Sequence, residues 1–201
     1  MPILLEIIMK IYTIIASLFL LVTINSAQAE DFKHTETNTF IKHNDLTFGT
    51  RQNIGLDVQQ YILRKDFKDT PYRIEYRNVH KGVRQEHWFR AQMKAFKHNG
   101  FFYNHRIEHR IREDKDNVFR YRPQFGYKAT VGSFTPFIIF EPQWNYTYAT
   151  QDKGYSHVQT FTGVEYKVSK HFTVAPYLEV DFDKSFNKDL AFFILDFKIK
   201  L

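Results

Sequence analysis

Along much of the chain every second residue is apolar, and the residues between are basic or acidic. In Tyr72-Arg73-Ile74-Glu75-Tyr76-Arg77, one face carries Tyr72, Ile74 and Tyr76 and the other Arg73, Glu75 and Arg77. The rhythm returns in Phe101–Arg112 and again in Phe119-Arg120-Tyr121-Arg122, continuing through Phe125 and Tyr127. A period of two places alternate side chains on opposite faces of a strand. The apolar face is heavily aromatic and the polar face is dominated by arginine, unlike the mixed-charge exterior of a water-soluble sandwich. Roughly ten-residue segments of this kind, separated by turns, are the signature of a transmembrane β-barrel.

Further strands are predicted near 190–201, 172–182, 158–168, 135–146, 118–128, 101–112, 87–97, 71–79, 54–64 and 44–52, with a poorly alternating candidate at 31–39. The connections counted back from the C-terminus suggest an alternation of longer and tighter. Segments 183–189 and 149–157 read as longer loops, 169–171, 130–133 and 97–100 as tight turns, and 113–117 as intermediate. Bacterial outer-membrane barrels combine short periplasmic turns, longer outer loops and an even strand number. At about 10 residues per strand and about six per connection, the chain yields 10–12 strands. The count is ambiguous in 61–86. Gln52-Asn53 reads as a tight turn where counting demands an outer loop, giving either ten strands with one very short outer loop or twelve.

The N-terminus supports export. Ile11–Ile24 is uncharged, and Ala27-Gln28-Ala29 fits the small-residue cleavage rule, so residues 1–29 read as a signal peptide and 30–201 as the mature barrel. Met9-Lys10 makes a more conventional start than Met1. An N-terminal anchor helix is the other reading, but this apolar run is short for a spanning helix. The chain has no cysteine, which removes disulfides and thiolate metal sites. Its net charge of +6 would suit nucleic acid, acidic lipid or an acidic solute. Export makes nucleic acid the poorest fit.

Charge is costly against lipid, about 2–4 kcal/mol for Arg or Lys at the midplane, so the charged face must line the lumen. The inward basic residues are then Arg73, Arg77, Arg90, Lys94, Arg106, Arg110, Arg112, Arg120, Arg122 and Lys128. The inward acids are Glu75, Glu108, Glu165, Glu179 and Asp181, with Glu141, Lys167 and Asp196 on the same parity. Basic residues gather on the middle strands and acids on the last ones. Parity and the turn at 113–117 place Arg106, Arg110, Arg120 and Arg122 in one strip, with Arg110 roughly across from Arg120. Guanidinium is suited to carboxylates because its planar fork bonds them in pairs.

Two readings of this face stay open. It forms the wall of a channel for acidic solutes, or it closes the barrel as a salt-bridge ladder. An enzyme, for example a lipid-modifying one, is a weaker alternative. The mature chain has four serines, Ser133, Ser156, Ser169 and Ser185, all in predicted turns or loops and none in a nucleophile motif. His105 and His109 fall on the apolar face and read as an interfacial belt rather than a metal site. Trp88, Trp144 and Tyr127-Lys128 fit an aromatic girdle. No cofactor motif is present.

Phe101–Arg112 followed by Arg120-Tyr121-Arg122-Pro123 resembles the oligogalacturonate-specific porin (KdgM-like) family, which includes a sialic-acid channel. Phe32-Lys33-His34-Thr35-Glu36, Leu46–Asp57, Pro176–Asp181 and the ending Phe197-Lys198-Ile199-Lys200-Leu201 are similar too. The resemblance covers about four-fifths of the mature chain and implies a twelve-stranded monomeric channel for acidic oligosaccharides, set in the bacterial outer membrane with lipid around it. This chain is shorter than those relatives, with the deficit in 61–86. The arginine-and-aromatic rhythm also resembles the DUF2490 outer-membrane family, and the sequence does not separate the two.

Overall fold

The computed structural model describes residues 34–201 apart from 54, 55, 114, 151 and 152. The signal peptide, its cleavage site and the alternative start at Met9 lie outside the described residues. Twelve strand segments follow one another: β1 His34–His43, β2 Leu46–Asn53, β3 Val58–Asp66, β4 Tyr72–Lys81, β5 Arg84–His98, β6 Phe101–Arg112, β7 Val118–Tyr121, β8 Gln124–Lys128, β9 Phe134–Thr147, β10 Lys153–Lys167, β11 Phe172–Asp183 and β12 Lys188–Lys200. Sequence neighbours pair, apart from β7 with β8, and β1 closes the sheet against β12. The result is an all-β, closed barrel of the outer-membrane type. Among the described residues no helix is long and apolar enough to cross a membrane.

Segments β7 and β8 are halves of one stave, since both pair with β6 on one side and β9 on the other. The break falls at Arg122-Pro123, where proline has no N–H to give the ladder. Arg122 N still donates to Arg106 O at 2.7 Å. The barrel therefore has eleven staves, inside the expected range of 10–12 but odd rather than even. An odd number of up-and-down staves leaves the first and last running the same way. Accordingly β1 and β12 pair in parallel, from His34 opposite Phe192 to Lys42 opposite Lys200, while the other pairings are antiparallel. The described part of the weakly patterned 31–39 segment, from His34 on, thus belongs to the closing strand. The ambiguous 61–86 region resolves into β3, β4 and a turn at 82–83.

The expected alternation of long and short connections is not what the barrel shows. The end that carries Leu201 bears connections 44–45, 67–71, 99–100, 129–133 and 168–171. The other end bears 54–57, 82–83, 113–117, 148–152 and 184–187, of similar length. The reason is that β10 begins at Lys153, absorbing half of the apparent 149–157 loop and carrying Ser156 into a strand. Asn99-Gly100 makes a two-residue hairpin with φ of 47° and 88°, values natural to this residue pair.

Parity sorts the two faces as expected. Phe48, Ile74, Phe89, Phe125, Ile138 and Phe193 stand exposed on the outside. Inside, two glycines let large rings lie flat on the wall. Gly49 pairs with Phe40 and Gly126 with Phe102. A Cβ would come within 2.6 Å of the Phe40 ring and 2.3 Å of the Phe102 ring. These are ring-over-glycine contacts that fix register in a curved sheet.

Candidate functional site: the charged lumen

The inward side chains meet in a network organised around buried carboxylates. Glu75 accepts from Arg64 at 2.6 Å, Arg77 at 2.6 Å and Arg90 at 2.8 Å. Glu108, with no exposed surface, pairs with Arg90, with Arg110 at 2.5 Å, with Arg122 at 3.4 Å and more loosely with Arg120 at 3.8 Å. Glu141, equally buried, pairs with Arg106 at 3.0 Å and with Arg122, and accepts from Gln124. Three carboxylates thus face seven guanidiniums. A second centre lies across the β1–β12 seam, where Arg51 bonds Glu36 and reaches Glu179 at 3.3 Å. Gln159 joins the two centres. It accepts from Arg122 at 2.5 Å and donates to Glu179 at 2.9 Å and Asp181 at 3.1 Å.

Towards the Leu201 end the pairs are more open. Asp66 holds Arg73 at 2.6 Å, Lys42 at 3.1 Å and Lys94 at 3.9 Å. Glu165 holds Lys128 at 2.9 Å and Lys198 at 3.1 Å. At the opposite end Val79, Trp88 and Val118 are buried. A cavity of about 440 Å³ lies within the barrel, lined from Lys42, Asp66 and Lys128 to Arg110 and Arg120.

Most of the sequence-predicted basic residues sit where parity placed them. Arg73, Arg77, Arg90, Arg106, Arg110, Arg120, Arg122 and Lys128 line the cavity, as do Glu75, Glu165 and Glu179. Lys94 stays at the rim, with its side chain half exposed. Arg112 leaves the group altogether and bonds the Asp116 carbonyl in the 113–117 connection. Asp196 accepts from Asn38 at 2.6 Å, and Lys167 ends β10 in an exposed position.

Three expectations are corrected. Arg110 is not across from Arg120. Arg110 pairs with Val118, and Arg120 with Glu108. Arg112 bonds Asp116 O while its backbone N–H is taken by Asn117 Oδ1 at 3.1 Å, so β7 starts at Val118 as expected but opposite Arg110 rather than Arg112, a register slip of two. The like-charge strip is thereby interleaved with a carboxylate. The expected separation of bases and acids is reduced by ion pairing within the middle strands, where Glu75 bonds Arg64, Arg77 and Arg90 and Glu108 bonds Arg90, Arg110 and Arg122. Trp88 belongs to no girdle. It points inward with the Arg110 guanidinium 3.4 Å from its ring centre, and its Nε1 donates to Glu86 at 2.7 Å. Charge flanks it on its own strand, as Glu86 and Arg90, and parity alone would have placed it inside.

Trp144 and Tyr127 do face outward, in register with Tyr121 and Ile138. His105 contacts Tyr121 OH at 2.7 Å, and the His109 ring packs on Tyr148. The sequence reading overlooked Arg51 and Arg64, although alternation from Thr47 and Ile62 marks both as inward. No protein-family model matches this chain, and no curated protein matches it.

Proposed function

We propose that this chain is a bacterial outer-membrane, porin-like barrel through whose lumen small acidic solutes pass passively, with no catalytic step. The observation that carries this reading is the seven-to-three excess of guanidinium over carboxylate beside a 440 Å³ cavity. An anion entering there exchanges water for guanidinium bonds, while a cation meets uncompensated positive charge. The exposed apolar band suits lipid, since a closed barrel leaves no backbone group unpaired in hydrocarbon. Acidic oligosaccharides such as oligogalacturonate or sialic acid are favoured as solutes by the resemblance to the oligogalacturonate-specific porins alone, and the same resemblance favours a monomer.

Reversal potentials across planar bilayers under a salt gradient test the reading. Anion preference supports it, and cation preference overturns it. A second reading is favoured by the complete burial of Glu108 and Glu141: the ion pairs fill the lumen and the barrel is a closed structural one. Absence of conductance from correctly folded protein would decide for that second reading.

A further inference from the structure

One stretch of the wall holds polar atoms that the network does not use. Gln143 on β9 has no exposed surface, lines the cavity, and neither its Oε1 nor its Nε2 has a hydrogen-bond partner. Beside it, Arg120 Nε, Arg122 Nε and Asn145 Oδ1 are also buried and unpartnered. Arg120 is the register partner of Asn145, and Tyr121 of Trp144, so Arg122 follows opposite Gln143. On the other side Gln143 pairs in register with His157. Asn145 is fixed by donating to Ser156 Oγ at 2.9 Å, and Arg122 by Gln159 and Glu141. Arg120 is the loosest of the arginines around Glu108, at 3.8 Å.

A buried amide with neither atom bonded is costly, and a guanidinium beside it compounds the cost. The group that satisfies Gln143 must accept from Nε2 and donate to Oε1. A hydroxyl does both through one oxygen. The neighbouring guanidiniums call for a carboxylate. We infer that the lumen holds a solute-reading site at Gln143, Arg120 and Arg122 for a carboxylate that carries a hydroxyl on the adjacent carbon. Arg120 takes the carboxylate, and Gln143 reads the hydroxyl. This inference rests on the acidic-solute reading and adds to it a residue that discriminates among acids.

Lactate and propionate differ by that single hydroxyl and make the probes. Each is titrated by ligand-observed NMR into the full barrel refolded in detergent. Lactate is expected to bind about tenfold more tightly than propionate, the gain from one fully satisfied hydroxyl in a dry site. Gln143→Leu is expected to abolish the gap by weakening lactate about tenfold; Gln143→Met serves if leucine impairs folding. Equal binding of the two acids by the unmodified barrel overturns the inference, as does binding of neither. A gap that survives both substitutions also overturns it, since the hydroxyl is then read elsewhere. The two claims fail separately: a barrel without anion preference in bilayers sinks the channel reading even if lactate is preferred, and an anion-selective barrel blind to the hydroxyl sinks only this site.

Discussion

Replacing Glu108 with glutamine tests whether the buried network is the main internal support of the barrel. Glu108 is fully buried and is the carboxylate on which Arg90, Arg110, Arg120 and Arg122 converge. The variant keeps the size of the side chain but strands those cations against one another. Removing one partner of a buried ion pair costs about 3–5 kcal/mol, because the remaining charge stays desolvated and uncompensated. Glu165→Gln is the internal control. Its carboxylate is a quarter exposed and its lysine partners more than a third, so solvent screens the pairs and the loss should stay below about 1 kcal/mol. Urea unfolding of both variants in lipid vesicles, followed by tryptophan fluorescence, gives the two losses from the shift in midpoint at constant slope. Adding Arg120→Gln to Glu108→Gln should recover part of the stability, since one stranded cation is removed and the two sites are coupled. Equal losses for Glu108→Gln and Glu165→Gln, or no recovery in the double variant, would refute the reasoning.

Three further outcomes are expected. Gly126→Val should destabilise the barrel by about 1–3 kcal/mol in the same unfolding assay, because its Cβ would lie 2.3 Å from Phe102 Cζ and 3.0 Å from the Ile138 carbonyl oxygen. Asp183 closes the 184–187 connection, accepting from the backbone N–H groups of Asn187 and Ser185, and the Asn187 bond above all holds its carboxyl below the usual range. Because the ordered turn lowers that pKa, its contribution is present at neutral pH and is lost as pH falls through the carboxylate range, so exchange of the Ser185 and Asn187 amides, corrected for intrinsic rate, should accelerate there and stay flat above it. Finally, Thr35→Cys with Phe193→Cys, and separately Thr39→Cys with Phe197→Cys, should both form disulfides, because both pairs are register neighbours of the parallel seam; an antiparallel seam cannot bring both pairs together, so cross-linking of only one would disprove the closure.

The all-β barrel was legible because its evidence is local. Alternation at Tyr72–Arg77 or Phe101–Arg112 needs no knowledge of the partner strand, and the face was misjudged at Trp88 because the girdle habit of tryptophan was put before the parity of Glu86 and Arg90. The strand number was less legible. The 31–39 segment alternates poorly because the outer face of β1 carries Thr35, Thr37 and Thr39, whose small polar side chains blur the contrast between faces. Pro123 splits one stave without ending it, and β10 carries a register shift between Tyr155 and His157 in the stretch that read as a loop. Each is a property of pairing, which composition does not report.

The lumen was half legible for a related reason. Parity assigns a residue to the inside but says nothing of its depth, and depth depends on the register of every hairpin. A slip of two residues keeps Arg110 and Arg120 inward while exchanging an arginine neighbour for Glu108. That exchange separates a bare repulsive strip from a carboxylate-centred hub, and it was set by the contacts of Arg112 with Asp116 and Asn117, which lie outside the alternating pattern. The same argument locates Gln143. On sequence it is one polar residue between Pro142 and Trp144. In the barrel its strand neighbours are arginine on one side and histidine on the other, so the partners across from it offer its amide no side-chain carboxylate or carbonyl. A residue of unremarkable type becomes chemically distinct only through the register of the two strands beside it, and for that reason solute discrimination in such a barrel is expected at uncharged positions among the arginines rather than at the arginines themselves.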